Sequence, residues 1–294
     1  MFEIVQLPYW VAFLLVVLAA IALLDRMLMP SARWYMRRRF NKAIEKLNDR
    51  LQLRIQPFKL TQRKVMIDRL LHDPKVMDAV RAYADEENVP LAVASAKAAT
   101  YAQEIVPSFS IFAYFGFAIR LSRWISQALF RVRVGFMDDD SLRRVDPEAT
   151  VVFIMNHRSN MDYVLVTYLA SERSALSYAT GEWARVWPLQ QIIKSMGGYF
   201  IRRQSRNQMY RRVLARYVQM ATEGGVSQAI FPEGGLSLDG SPQPAKLGLL
   251  CYILDGFTLE SARDVVFVPV GLNYDRVLED RVLTRVDPEG KRTF

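Results

Sequence analysis

The sequence is poor in the residues that form cross-links and metal clusters. Cys251 is the single cysteine, so no internal disulfide can form. With His72 and His157 as the only histidines, the chain lacks the ligands of a Cys/His zinc cluster. It also contains no G-x-S-x-G elbow, no internal repeat and no low-complexity tract. These absences exclude a disulfide-stapled miniprotein and argue against structural zinc.

Hydrophobic residues make up 51% of the 294 residues and charged residues 23%, which suits one large domain with an appendage. The formal charge of +9 is local. Residues 31–70 hold twelve Lys and Arg against three Asp and Glu, and twelve minus three is nine. Such a basic segment binds nucleic acid or an anionic membrane surface, and the preceding residues decide between them.

The preceding segment is apolar from Ile4 to Leu24, 21 residues interrupted only by Gln6 and Pro8. At roughly 1.5 Å per residue, a helix of this length spans about 31 Å, close to the roughly 30 Å core of a bilayer. We therefore predict one transmembrane helix, a membrane localisation and, from the basic residues that follow, a cytoplasmic catalytic domain that binds no nucleic acid. The alternative is a buried core helix, which does not explain aromatic residues at one end and arginines at the other.

From about residue 60 to residue 130 the pattern predicts helices. The last of these, residues 111–134, mixes six aromatic residues with four arginines. It is typical of a membrane-interface helix, and core packing explains it equally well. His72 lies on one of the helices beside leucines and is interpreted as a packing or surface residue.

After Pro147, short β-rich runs alternate with helical ones. This alternation predicts an α/β fold with a mixed, largely parallel sheet flanked by helices, preceded by the transmembrane helix and a helical region. The predicted division is 1–29 for the anchor, 30–140 for a basic helical membrane-proximal region and 141–294 for the α/β domain. The predicted strands are 150–155, 175–179, 198–201, 227–231 and 265–270, and the predicted helices are 160–170, 182–195, 205–222 and 246–258.

The first predicted strand is followed directly by the segment NHRSNMDY, which contains His157 and Asp162. Imidazole titrates near neutral pH and so suits a general base, which needs an orienting partner. If Ser159 caps the next helix, the Asp162 carboxylate can fold back toward His157. The alternative is a capping box, in which this carboxylate only accepts backbone N–H groups.

Three further segments lie at predicted strand ends. Arg202 and Arg203 end the segment GGYFIRR, where guanidinium groups can bind phosphate or remain solvated. Glu233 and Gly234 lie in FPEGG, with Lys246 shortly after, and suit either a hydroxyl-binding loop or a plain turn. The fourth segment, VPV at 268–270, closes a strand.

In this order, the four segments resemble the four motifs of the glycerolipid acyltransferase family, most closely its membrane-bound glycerol-3-phosphate branch. The resemblance extends from about Ser108 to Leu283. It implies that His157 is the base and Asp162 its partner, and that no metal or cofactor takes part beyond an acyl-CoA or acyl carrier protein donor. It also implies that the acceptor is bound by Arg202, Arg203, Glu233, Gly234 and Lys246.

The chain departs from the pattern at the third motif, where the glycerol-3-phosphate branch commonly has two arginines and this chain has Leu236 and Leu238. Pro232 is more typical of the lysophosphatidate branch. The relatives also usually continue beyond the fourth motif, so we expect a C-terminal part to be missing. The predicted function is direct acyl transfer to the hydroxyl of glycerol 3-phosphate. The alternatives are a lysophosphatidate acyltransferase and a non-catalytic membrane-tethered lipid binder.

Overall fold

A computed structural model of the chain describes residues 8–49, 51, 53–170, 174–202, 205–237, 240–258, 260–261 and 263–283. The chain divides into two compact units, Met1–Arg50 and Leu51–Phe294. The helices that follow residue 50 therefore belong to the same unit as the sheet. The predicted boundaries at residues 29 and 140 stay a prediction.

The first unit contains one long helix, α1 (Tyr9–Asn48). Among the residues that the structure describes, no helix meets the length and apolarity needed to cross a bilayer. The transmembrane helix predicted over residues 4–24 is therefore not confirmed, and residues 4–7 lie outside the described ranges.

The second unit begins with helices, as predicted for residues 60–130. A π-helical segment (Phe112–Ala118) runs directly into α6. The α-helices before the sheet are α2 (Pro57–Leu60), α3 (Arg63–Leu71), α4 (Pro74–Glu86), α5 (Leu91–Ile105), α6 (Ile119–Leu129) and α7 (Asp139–Arg144).

Strands and helices then alternate. The strands are β1 (Thr150–Met155), β2 (Ser177–Thr180), β3 (Tyr199–Phe200), β4 (Gln228–Ile230) and β5 (Val265–Val270). The helices among and after them are α8 (Asp162–Leu169), α9 (Leu189–Ser195), α10 (Gln208–Glu223), α11 (Gly248–Leu254) and α12 (Asp280–Leu283). The single helix predicted over 182–195 is wrong, because a 3₁₀ turn (Glu182–Ala184) is separated from α9. Pro188, which has no N–H to donate, lies directly before α9.

The five strands form one sheet in the order β3-β2-β4-β1-β5, and each described pair is parallel. The α/β prediction is confirmed, with a sheet that is parallel throughout the described strands. Side chains of β1 alternate between two cores: Val151, Phe153 and Met155 face the α8 side, and Val152 faces the side of α4, α5 and α10. Helices thus cover both faces.

The strand order creates a crevice between β1 and β4. The connection from β1 runs through α8 on one face to β2, whereas the connection from β4 runs through α11 on the other face to β5. Adjacent parallel strands whose connections leave in opposite directions open a cleft at their carboxyl ends. The loops after β1 and after β4 line this cleft.

Candidate active site

His157 and Asp162 meet in the loop between β1 and α8. The Nδ1 atom of His157 lies 2.8 Å from Oδ2 of Asp162, and both side chains are almost fully buried. Of the described residues, none bonds to Nε2 of His157. The structure thus presents an imidazole that is oriented at Nδ1 and has no partner at Nε2 among the described residues, which is the arrangement that a general base requires.

The same carboxylate oxygen also organises the loop. Oδ2 of Asp162 accepts the backbone N–H groups of Arg158 at 2.7 Å and Ser159 at 3.1 Å. Helix α8 begins at Asp162 itself, after Met161, and not after a Ser159 cap as predicted. The two interpretations of Asp162, as the partner of His157 and as an acceptor of backbone N–H groups, are therefore not exclusive. One carboxylate oxygen does both.

Aromatic rings enclose the imidazole. The Phe231 ring lies 4.4 Å from the His157 ring, centroid to centroid, and the Tyr163 ring lies edge-on at 5.4 Å. These contacts exclude water from the flanks of the imidazole and fix its plane. A buried, fixed ring loses little entropy when it takes part in a reaction.

The loop after β4 holds the backbone of His157 on both sides. Oε1 of Glu233 accepts the N–H of His157 at 3.3 Å, and the N–H of Ser237 donates to the carbonyl of His157 at 3.0 Å. The other carboxylate oxygen of Glu233 accepts the N–H of Gln243 at 3.3 Å. Glu233, predicted to bind the acceptor, is thus a buried support of the loop that carries His157.

Gly234 and Lys246 lie against each other in that loop. Gly234 has a φ of +65°, a conformation that residues with a Cβ rarely adopt. A Cβ at this position would meet Cδ of Lys246 at 2.9 Å and Nζ at 3.6 Å. The glycine therefore allows a lysine side chain to lie directly over the turn beside Glu233.

Arg202 lies level with His157 at the same edge of the sheet, three strand spacings away. At about 4.8 Å per spacing this is roughly 14 Å between the backbones. Its guanidinium forms a two-pronged ion pair with Glu104 of α5, at 3.0 and 2.7 Å, and stacks over Tyr101 and Tyr210. Arg203 lies outside the described residues.

More cations surround this ion pair. Arg185 also pairs with Glu104, and Lys194 donates to the carbonyl of Gln103 at 3.1 Å. Burial, with the nearby charges of Arg63 and Arg185, lowers the pKa of Lys194 to about 8. Two arginines and a lysine thus lie around Glu104 and its neighbour Gln103.

Sequence reasoning missed three residues that hold the site together. The Asn156 amide both accepts the N–H of Leu272 at 2.7 Å and donates to its carbonyl at 2.8 Å. The Tyr274 hydroxyl donates to Oδ1 of Asp162 at 2.7 Å. Glu279 accepts the Ser159 hydroxyl at 2.7 Å and the Asn160 N–H at 2.9 Å. The signals available in the sequence were that Asn156 directly precedes His157 in the first segment, and that Tyr274 and Glu279 follow the fourth segment, at 268–270.

A cavity of about 1620 Å³ lies beside the site on the α8 face. Apolar side chains of β1, α8, β5 and the segment 129–137 line much of it, and charged side chains, among them Arg131, Arg276 and Arg281, line the rest. Tyr274 lines it, whereas His157 does not. Tyr274 thus lies between the cavity and the pair of His157 and Asp162. Within the described ranges, no three His, Cys, Asp or Glu side chains are grouped to hold a metal ion.

Known proteins match the part of the chain that carries this site. Residues 134–273 match the family described as Acyltransferase. A glycerol-3-phosphate acyltransferase of Pseudomonas putida is 30% identical over 226 residues, which are 76% of this chain and 27% of that protein. The protein of the same name from Aeromonas hydrophila is 30% identical over 238 residues, 78% of this chain and 29% of that protein.

The chain is also similar to a solved structure, that of the 1-acyl-sn-glycerophosphate (LPA) acyltransferase of Thermotoga maritima. It is 18% identical, with a TM-score of 0.38 over 54% of this chain and 67% of that one. The chain spans between a quarter and a third of the length of the Pseudomonas and Aeromonas relatives.

Proposed function

This chain belongs to the glycerolipid acyltransferase family, and on that premise we propose that it transfers a fatty acyl group from acyl-CoA or acyl carrier protein to the hydroxyl of glycerol 3-phosphate. The observation that carries the proposal is the buried 2.8 Å contact between Nδ1 of His157 and Oδ2 of Asp162. The relatives that bear the glycerol-3-phosphate name favour this acceptor.

In the proposed reaction, Nε2 of His157 takes the proton of the acceptor hydroxyl as its oxygen attacks the thioester carbonyl carbon. The tetrahedral intermediate then collapses, the carbon–sulfur bond breaks, and the leaving thiolate takes the proton from the imidazolium. Asp162 stabilises the transient positive charge on the ring. The step as written uses no metal and no cofactor.

An acyl-serine intermediate has no support from the geometry. Ser159, the serine nearest the base in sequence, donates its hydroxyl to Glu279 at 2.7 Å and accepts the N–H of Met161 at 3.0 Å. Its side chain is committed to the loop, and Nδ1 of His157 faces Asp162 instead. Direct transfer needs neither a free serine nor a rearrangement of this loop.

We propose that the acceptor phosphate binds near Arg202 and Lys246. Leu236 replaces one of the arginines common in the glycerol-3-phosphate branch, so the charge must come from elsewhere. Arg202, held against two aromatic rings and paired with Glu104 through Nε and Nη2, offers its remaining Nη1 edge to a phosphate. Lys246 offers a second cation over Gly234. For the acyl chain we propose the apolar cavity, whose volume exceeds the roughly 300–1000 Å³ usual for ligand sites.

The alternative acceptor is 1-acylglycerol 3-phosphate, favoured by Pro232 and by the size of the apolar cavity. The deciding assay supplies palmitoyl-CoA with each acceptor in parallel, and repeats the assay with an acyl carrier protein donor. Faster transfer to the acylated acceptor would replace our proposal by the alternative. Lipid binding without any turnover would indicate the non-catalytic binder.

Arg202→Ala is expected to raise the KM for glycerol 3-phosphate by about 10- to 100-fold, because one charged hydrogen-bonding contact is worth roughly 1.5–3 kcal/mol. The value of kcat should change far less. Arg212→Ala removes an exposed arginine of α10 and is the matched control. An unchanged KM together with a lower unfolding midpoint would mean that Arg202 serves only its ion pair with Glu104.

We also propose that the protein lies at a membrane, where the acyl products belong. The support within the second unit comes from the π-helical segment and α6. Ser122 and Ser126 are buried, whereas Phe117 and Trp124 expose 57% and 68% of their surface. Large aromatic groups that face outward beside arginines are typical of a helix at an anionic lipid surface. The anchor predicted over 4–24 stays a prediction, with alkaline extraction of membranes as its test.

Trp124→Tyr is expected to reduce the quenching of protein fluorescence by brominated anionic phospholipids, because Trp124 would lie at the depth of the lipid carbonyls. Trp187, exposed by 79% on another part of the unit, provides the matched Trp187→Tyr control. Equal loss of quenching in both variants would contradict the proposed orientation.

A further inference from the structure

Tyr274 reaches the active site because β5 pairs in parallel with β1 along its whole length. The two strands pair over six residues, from Thr150 with Val265 to Met155 with Val270. Where the backbones diverge, the Asn156 side chain continues the pairing through its two bonds to Leu272. The residues after β5 are therefore held beside the loop of His157, and Tyr274 lies two positions beyond this clamp.

Among the described residues, four groups donate hydrogen bonds to the Asp162 carboxylate. Three of them, Nδ1 of His157 and the N–H groups of Arg158 and Ser159, point at Oδ2. Of the described residues, Tyr274 alone donates to Oδ1, at 2.7 Å. Its hydroxyl thus opposes the other three donors and fixes the rotation of the carboxylate about its Cβ–Cγ bond.

Resting on the proposed function, we infer that Tyr274 is a positioning residue, which acts through Asp162 to orient and tune His157. The phenol cannot reach the reacting atoms through this contact, because it faces the carboxylate oxygen that His157 does not use. It withdraws negative charge from the carboxylate toward Oδ1. Both the direction and the strength of the field at Nδ1 therefore depend on it.

The surroundings of Tyr274 keep its hydroxyl protonated, so that it can only donate to Asp162. Burial, the Asp162 charge, the hydrogen bond to Asp162 and the Glu279 charge all raise the pKa of Tyr274 far above its ordinary value. Its ring packs edge-on against Phe130 at 5.3 Å. The hydroxyl therefore remains protonated at every pH at which the enzyme works, and the ring has little freedom to turn away.

Other titratable groups face the pair and must be considered in any pH experiment. Glu279 reaches the loop through Ser159 and Asn160, and Glu233 reaches it through the N–H of His157. None of these groups donates to Asp162. Of the described residues, the titratable groups that contact the pair or its loop are Tyr163 of α8, Glu233 of the loop after β4, and Tyr274 and Glu279 after β5. Arg158 is next to His157 in the same loop, and Lys246 lies over Gly234 beside Glu233.

The test is Tyr274→Phe in the full chain, which removes one hydroxyl and keeps the ring on Phe130. We expect kcat to fall about 10- to 100-fold, the range for one hydrogen bond to a charged group, while both KM values change less than threefold. Tyr168→Phe is the matched control: its hydroxyl accepts a single bond from Gln127 at 3.5 Å on the far part of α8, and its kcat should stay that of wild type.

A positioning role also predicts a displaced pH profile. Without the phenol, the carboxylate keeps more negative charge toward Nδ1 and favours the protonated imidazole. The acidic limb of the kcat profile should then move to higher pH in Tyr274→Phe. The chain has two histidines, so NMR titration of the imidazole nitrogens resolves both, and the midpoint of His157 should rise while that of His72 stays fixed.

The outcomes separate the two proposals. A kcat within twofold of wild type, or a loss of kcat with a lower unfolding midpoint and no displaced titration, would overturn the role of Tyr274. Absence of transfer by the wild type to either acceptor would overturn the proposed function instead. The NMR titration would still decide whether Tyr274 acts on His157 in that case, because it does not depend on turnover.

Discussion

Replacing His157 by alanine is expected to lower the rate of acyl transfer by about 100- to 10,000-fold, the usual contribution of a positioned general base. The expectation follows from the imidazole geometry: Nδ1 is held by Asp162 at 2.8 Å, and no described residue bonds to Nε2. No neighbouring side chain in the described site offers a second group of suitable basicity. The measurement is the single-turnover rate of palmitoyl transfer to glycerol 3-phosphate.

Two further variants keep this result interpretable. The His157 ring packs on Phe231, so alanine leaves a cavity and lowers stability. His157→Gln fills more of that space and still cannot act as a base, and it should be as inactive as alanine with a higher unfolding midpoint. His72→Ala removes the other histidine, whose Nδ1 lies 2.7 Å from the carbonyl of Asp68 on an exposed helix end, and should leave the rate unchanged. Near-wild-type transfer by His157→Gln would refute the base mechanism.

Local sequence patterns predicted the parts of the fold that depend on local signals. Strands β1 and β5 have the predicted bounds because each is a short, largely apolar run that is rich in valine. The contact between His157 and Asp162 was predictable for the same reason, since a carboxylate five residues on, at the start of a helix, returns to the loop that precedes it. Predicting these features does not require the order of the strands in the sheet.

The supports of the site were not predictable in this way. Tyr274 lies 112 residues from Asp162 in sequence, and Asn156 lies 116 residues from Leu272. They meet because β5 pairs with β1, and no local pattern states which strand lies beside which. Hydrophobic periodicity sets the face of a strand, not its neighbour.

The ion pair of Arg202 was also not predictable from local sequence patterns. The segment that contains Arg202 predicted a guanidinium that either binds phosphate or remains solvated, and the phosphate-binding role stays a prediction. The partner of Arg202, Glu104, lies 98 residues earlier, on α5. Whether a strand-end arginine is solvated, paired or available to a ligand is decided by the helix that packs over it, which only the tertiary structure provides.

Replacing Asp162 by asparagine is expected to lower the transfer rate by up to about 10,000-fold while the fold is retained, because the comparable change in a serine protease lowers kcat by about 10,000-fold. The amide oxygen can accept the same three donors as Oδ2 does now, and the amide N–H₂ can donate to Tyr274, whose hydroxyl also accepts. The geometry survives, and the negative charge that stabilises the imidazolium is lost. Asp78→Asn, in an exposed ion pair with Arg81, is the neutral control.

Comparison with Asp162→Ala separates the two roles of this carboxylate. Alanine removes the acceptor of the Arg158 and Ser159 N–H groups as well as the charge, so it should lower both the rate and the free energy of unfolding, the latter by about 1–3 kcal/mol per unsatisfied buried group. Asparagine should lower the rate alone. If Asp162→Asn transfers at half the wild-type rate or faster while Asp162→Ala unfolds readily, the carboxylate is a capping group and His157 acts without it. A loss of rate in both, with a loss of stability in alanine alone, would show that one buried oxygen both builds the loop and supports the base within it.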